Sequence, residues 1–242
     1  MQNNSAQLRE KAFRFYLVLT GLFIASLVAC NLIFQKFFYW TPLAFLDPEG
    51  NSELLSYTFQ ISVGIIPYPL TFLVTDLISE IYGRKRADQV VYAGLVASLL
   101  LFVIVYLADA APAVDFSPVS DAEFSKVFGR TGVAVAASMV AYLVAQFIDI
   151  RIFHFWKRVT RGKHLWVRNN FSTITSQLID TAIVLVLLCA LGTLPWAMFT
   201  VLFLNGFIFK AIVALLDTPV FYLATWYVRK KLGLKLGEEF EL

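Results

Sequence analysis

Six apolar runs, each about as long as a bilayer crossing requires, set the terms for this 242-residue chain. They fall at 15–34, 57–81, 89–108, 131–153, 171–191 and 197–228, and a membrane helix needs ~20 mostly apolar residues. The last run is overlong, which implies tilt, a kink at Pro219 or an end outside the hydrocarbon. Six spans take about half the chain, which leaves no sizeable soluble domain. The expected fold is all-α: a polytopic membrane protein with six transmembrane helices in one bundle, a single domain over residues 1–242. Composition agrees. Charged residues make up 15%, where globular chains carry roughly a quarter. Aromatics reach 16%, which excludes disordered, collagen-like and coiled-coil chains.

The basic residues sort to one side. Sixteen of the 20 Lys and Arg residues lie in the N-terminal tail (Arg9, Lys11, Arg14), at 84–86, between Arg151 and Arg168, and between Arg229 and Lys235. The opposite side holds Lys36, Lys126 and Arg130, and Lys210 lies inside a span. By the positive-inside rule both termini are cytoplasmic. Between the third and fourth spans, 119–128 reads as a short amphipathic piece at the interface. Leu27-Val28-Ala29-Cys30 matches a lipoprotein processing box. The apolar run continues to Phe34, however, and five more spans follow, which argues against cleavage. Cys30 and Cys189 are both mid-span and read as packing residues.

Soluble-enzyme chemistry is missing. There is no P-loop, no His-Glu-x-x-His and no cysteine pair with metal spacing, so no cofactor, metal or catalytic residue is expected. His154 and His164 are read into the cytoplasmic basic loop as solvated residues. The basic loops themselves read as topology signals in contact with membrane lipid rather than nucleic acid.

The chemistry must therefore lie in the spans, where ionisable groups are costly and turn toward a bundle interior. They form helical stripes: Phe72, Asp76 and Glu80; Tyr142, Gln146 and Asp149; Thr173, Gln177 and Asp180; Lys210 and Asp217. Each set has the spacing of one helix face, and Asn31 adds an amide near the outer end of the first span. Together they suggest an enclosed polar cavity in which carboxylates outnumber bases. Glu80 and Asp149 lie near the cytoplasmic ends, where Arg84, Lys85, Arg86 and Arg151 could pair with them. Lys210 could hold Asp180 or Asp217.

Pro67 and Pro69 flank Tyr68 and break the second span about ten residues in, costing backbone hydrogen bonds. Such interruptions mark many transporter sites, although a packing kink would look the same. A flat or aromatic ligand with donors and acceptors fits this inventory. Tyr68, Phe72 and Tyr142 can stack on a ring, a carboxylate can take two adjacent N–H groups, and Asn31, Gln146 and Gln177 can meet a carbonyl or ring nitrogen. A polar amino acid or a sugar would fit too.

Several blocks together resemble one family. They are the run Pro67-Tyr68-Pro69-Leu70-Thr71-Phe72-Leu73-Val74-Thr75-Asp76-Leu77-Ile78-Ser79-Glu80-Ile81-Tyr82-Gly83, Gln146-Phe147-Ile148-Asp149, the Ser172-Thr173 and Ser176-Gln177-Leu178-Ile179-Asp180-Thr181 pieces, and Lys210 followed by Asp217-Thr218-Pro219. In order and on the expected helices, they resemble the queuosine-precursor transporter family, also called the vitamin uptake transporter family. The resemblance implies a bacterial inner-membrane carrier of 7-deazaguanines: 7-cyano-7-deazaguanine, 7-aminomethyl-7-deazaguanine or queuine. It also implies a polar substrate pocket from Asn31, Asp76, Gln146, Asp149, Gln177, Asp180 and Lys210, to which the residue reading adds Tyr68, Phe72 and Asp217.

Three other classes compete. One is a substrate-binding membrane subunit of an ATP-driven vitamin importer, another an intramembrane enzyme built on Asp76 and Glu80, and the third a structural or assembly protein with a water-filled pocket and no turnover. Gly132, Ala136, Ala137 and Ala141 form a small-residue stripe for close helix approach, inside the bundle or across a homodimer.

Overall fold

The computed structural model of the chain describes residues 2–34, 36–46, 52, 53, 55–129, 131–192 and 194–242, and the side chains of these other than 2–5, 44, 129 and 131–137. In chain order the elements are α1 (Gln2–Ile33), β1 (Phe37–Trp40), β2 (Phe59–Ser62), α2 (Tyr68–Tyr82), α3 (Arg84–Ala110), α4 (Asp121–Phe124), α5 (Thr131–Val159), α6 (Leu165–Ala190) and α7 (Phe199–Leu232). Among the described residues, six segments are long and apolar enough to cross a membrane: Ala6–Ile33, Val63–Tyr82, Arg84–Ala110, Ser138–Val159, Leu165–Ala190 and Trp196–Leu232. The helix through Trp196–Leu232 runs unbroken past Pro219.

The distribution of side chains is that of a bilayer protein. Leu99, Leu100, Val103, Ile104 and Leu107 of α3, and Leu215, Leu216 and Leu223 of α7, face outward. Glu80, Gln146, Asp149, Arg168, Ser172 and Ser176 are buried inside. Lipid is as apolar as leucine, so helices in it are held by close packing and polar contacts rather than by a hydrophobic drive. Much of the apolar core joins α1, α2 and α3 at Phe23, Leu27, Ile78, Ile81, Val90 and Val91.

The second apolar run is not a kinked helix. Its first part, Phe59–Ser62, is a strand paired antiparallel with Phe37–Trp40, in the register Phe37↔Ser62 and Trp40↔Phe59. A 3-10 turn at Val63–Ile65 follows, and α2 begins at Tyr68 with Pro67 as its cap and Pro69 in the first turn. Proline is at home there because the first N–H groups of a helix have no partner within it. An apolar run alone does not separate a buried strand from a helix. The hairpin docks on α7 through Trp40, whose ring centroid lies 4.9 Å from that of Phe209. Tyr57 adds a 2.5 Å hydrogen bond from its hydroxyl to Asn205 Oδ1.

Gly64 meets α1 so closely that a Cβ there would lie 2.7 Å from Phe34 Cβ and 2.9 Å from the Cys30 carbonyl oxygen. At the other end of α2, Gly83 turns the chain into α3 at φ 80°, a conformation open to glycine because it lacks a Cβ. The interfacial piece expected at 119–128 contains α4, started by a capping box of Ser120 and Glu123. His154 belongs to α5 rather than to a loop, because that helix runs to Val159 and leaves only 160–164 as connection. Residues 233–242 fold back beneath the basic end, where Phe240 N–H donates to the Ile81 carbonyl at 2.7 Å and Arg86 to the Leu242 carbonyl at 2.7 Å. Of the small-residue stripe, Ala141 is buried within the bundle. The side chains of Gly132, Ala136 and Ala137 lie outside the described residues, as does Arg130.

Candidate functional site

A cavity of roughly 210 Å³ occupies the hairpin half of the bundle. α1 contributes Cys30 and Asn31, the hairpin Gln60, α5 Tyr142, α6 Asp180 and α7 Lys210, and Tyr68 lines it from the start of α2. Its polar groups gather at Lys210, whose Nζ donates to Asp180 Oδ2 at 2.6 Å and to Thr181 Oγ1 at 3.2 Å. The same ammonium stands 4.4 Å from the centroid of the Tyr68 ring, a cation–π geometry. Asn31 is oriented by its Nδ2, which donates to Ser98 Oγ at 3.3 Å. The Tyr142 hydroxyl is buried without a partner. A buried hydroxyl in that condition is open to a polar ligand group.

A second, much smaller crevice of roughly 20 Å³ lies beyond Tyr68 and Lys210. Phe72, Asp76, Asn169, Gln177 and Asp217 line it. Tyr68 and Lys210 line both spaces and so form the partition between them. Behind the crevice, Asp76 Oδ2 accepts from Thr173 at 3.2 Å and Asp149 Oδ1 from Ser176 at 2.9 Å. Thr173 and Ser176 are three residues apart on one face of α6, so the two carboxyl groups they bond are neighbours. Gln146 Oε1 accepts from Thr75 at 3.2 Å, while its Nε2 and the Oε1 of Gln177 are buried without partners.

Glu80 does not pair with Arg84, Lys85, Arg86 or Arg151. Its carboxylate takes Arg168 Nη2 at 2.7 Å and Arg168 Nε at 3.1 Å, Arg229 Nη2 at 2.5 Å and Lys157 at 3.7 Å. Lys157 also holds Glu239 of the C-terminal tail at 2.8 Å. One carboxylate thus ties α2 to α5, α6 and α7 at the basic end. The surplus positive charge is met by backbone: Arg168 donates to the Gly162 and Lys163 carbonyls, and Arg229 to the Lys235 carbonyl. Asp149 bonds Ser176 instead of Arg151, and Arg84 pairs with Asp88 at 3.5 Å.

Of the residues singled out in the sequence, Asn31, Tyr68, Asp180 and Lys210 come together in the large cavity. Phe72, Asp76, Gln177 and Asp217 surround the crevice with Tyr68 and Lys210. Gln146 and Asp149 line neither space. Arg168 and Asn169 were missed as interior residues. The signal was present, since Arg168 shares a helical face with Ser172, Ser176 and Asp180, but it was counted among the basic residues of a loop.

Outward-facing leucines and six membrane-length helical segments among the described residues define a multi-pass membrane protein, with a polar cavity lodged between its helices. A family model described as "Putative vitamin uptake transporter" matches residues 62–224, and the chain belongs to that family of transporters. It is 29% identical over 186 residues, covering 76% of this chain and 79% of the relative, to the "Probable queuosine precursor transporter" of Bacillus subtilis (strain 168). It is 26% identical over 126 residues, covering 52% of this chain and 50% of the relative, to a protein of the same name in Haemophilus influenzae (strain ATCC 51907 / DSM 11121 / KW20 / Rd). No solved structure matches the chain.

Proposed function

We propose that the chain carries 7-deazaguanine precursors of queuosine, such as 7-cyano-7-deazaguanine, 7-aminomethyl-7-deazaguanine or queuine, across a bacterial inner membrane by alternating access, unchanged in transit. The names of the two relatives support the substrate class. The observation that carries the site is the Lys210–Asp180 pair beside Tyr68 in the large cavity. A carboxylate such as Asp180 can accept two adjacent N–H groups on the amidine edge of the base. The ammonium of Lys210, a donor only, meets the ring carbonyl when the pair opens, and the aromatic faces of Tyr68 and Tyr142 sandwich the bicycle. Both termini face the cytoplasm, with the basic residues of that end against anionic headgroups. The hairpin end then faces outward, and the Glu80 ion pairs hold the opposite end together. Movement of Tyr68 and Lys210 would join the two spaces and pass the solute inward.

Ligand-induced thermal stabilisation of the purified chain tests this reading, with 7-cyano-7-deazaguanine, queuine, guanine and riboflavin compared. At hundredfold excess over Kd, a ligand should add ~2.7 kcal/mol to the folded state. Stabilisation by the deazaguanines alone is the expected result, and none from any of them would overturn it. Counterflow in liposomes holding this chain alone separates a self-sufficient carrier from the binding subunit of an ATP-driven importer, which would stay silent there.

A further inference from the structure

Asp76 and Asp149 form a second polar centre, set apart from the large cavity. Each is almost fully buried, at 1% and 0% exposed. Each takes one hydroxyl from α6, Thr173 for Asp76 and Ser176 for Asp149, and these two hydroxyls lie one turn apart on the same helix face, which sets the two carboxyl groups side by side. One oxygen of each, Asp76 Oδ1 and Asp149 Oδ2, has no protein donor. Among the described residues no cation pairs with either acid.

The charged groups around them are committed elsewhere. On α2, Glu80 is held by Arg168 of α6, Arg229 of α7 and Lys157 of α5. Lys210 of α7 is held by Asp180 of α6. Asp217 of α7 lies across the crevice, and α5 also carries Tyr142, Arg151, His154 and Arg158. The charged residues of α1 and α3 lie toward the helix ends, among them Arg14 with Glu10 and Arg84 with Asp88. Two neighbouring carboxylates, with no cation and almost no solvent, cannot both be ionised while the site stays closed; aspartic-protease pairs solve the same problem by sharing one proton.

We propose that Asp76 and Asp149 share one exchangeable proton, and that its release and rebinding couple solute movement to the proton gradient. The proton sits between the two carboxyl groups, and losing it takes the pair from one negative charge to two. Asp76 lines the crevice of roughly 20 Å³, room for about one water molecule, which gives the proton a route to the pair. The crevice ends at Lys210, so opening of the Lys210–Asp180 pair by solute also changes the charge seen by Asp76. This inference rests on the transport reading above.

The test uses the full chain in liposomes loaded with a pH-reporting dye, with 7-cyano-7-deazaguanine as solute. Uptake should change the luminal pH. At one proton per solute, an imposed gradient of about one pH unit should support about tenfold accumulation, lost with a protonophore. Asp149→Asn should make uptake indifferent to the gradient. Active counterflow with a static luminal pH, or accumulation driven by sodium instead, would overturn the proposal. Infrared spectra give a readout that needs no transport: a protonated-carboxyl C=O band at neutral pH, diminished in both Asp76→Asn and Asp149→Asn. A wild-type spectrum without that band overturns the shared proton even if counterflow is active. A band without counterflow of any deazaguanine supports the pair while the substrate reading fails.

Discussion

The ammonium of Lys210 lies 2.6 Å from the carboxylate of Asp180, and that contact stands where the large cavity gives way to the crevice. The two residues come from α7 and α6, 30 positions apart in sequence. The pair therefore reports on how those helices pack, and both its members line the large cavity.

Removing one member of the pair leaves a buried charge uncompensated. Asp180→Asn and Lys210→Met should each cost about 3–5 kcal/mol of stability and abolish stabilisation by ligand. The double variant should regain much of the stability, because no lone charge remains, but not the ligand response. Thermal unfolding with and without ligand checks both. Normal affinity in the two single variants would remove the pair from the pocket.

Glu80 is a different kind of acid. Glu80→Gln strands Arg168 and Arg229 in the interior, so a loss of about 3–5 kcal/mol is expected. Arg14→Ala breaks an exposed pair with Glu10, whose side chains are 75% and 60% exposed, and should shift stability by less than about 0.5 kcal/mol. Equal unfolding midpoints for the two variants would contradict the role assigned to Glu80.

Gly64→Ala places a methyl group against Phe34 and the Cys30 carbonyl at distances no relaxed contact allows. Backbone must shift, at about 1–3 kcal/mol. Because Gly64, Cys30 and Phe34 all line the large cavity, weaker ligand binding should accompany the lower unfolding temperature. Hydrogen exchange should rise in Phe37–Trp40 and Phe59–Ser62, the strands anchored beside it.

The two cysteines offer an internal comparison. Both are buried and unpaired, but Cys30 lines the large cavity and Cys189 does not. A small thiol reagent should modify Cys30 first, and bound solute should slow that reaction while leaving Cys189 unaffected. Mass spectrometry of the labelled peptides reads the outcome, and protection of neither cysteine would count against the cavity as the solute site.

Much of this was legible before any coordinates. The stripe Thr173, Gln177, Asp180 pointed into the bundle because three- and four-residue spacing puts side chains on one helix face, and its members do line the two spaces or support them. The hairpin was not legible. Phe59–Ser62 reads as the beginning of an apolar span, and its partner strand lies beyond the 43–56 stretch, where Asp47-Pro48 and Gly50-Asn51-Ser52 signal a loop but no two-residue hairpin turn announces a pairing. Pro67 and Pro69 were visible as a break but not as a helix start, since both readings need the same missing N–H groups.

The amino-acid sequence by itself determined the six membrane segments and the faces that turn inward. Apolar run length and helical phase are local properties, and a bilayer makes them decisive by forbidding unpaired backbone. Only the tertiary structure decided the partners: Arg168, Arg229 and Lys157 for Glu80, Asp180 rather than Asp217 for Lys210, Thr173 for Asp76 and Ser176 for Asp149. These groups are separated by up to 149 residues. Whether they meet depends on the axial offset and rotation of whole helices, set by packing along their full lengths and carried by no short stretch of chain.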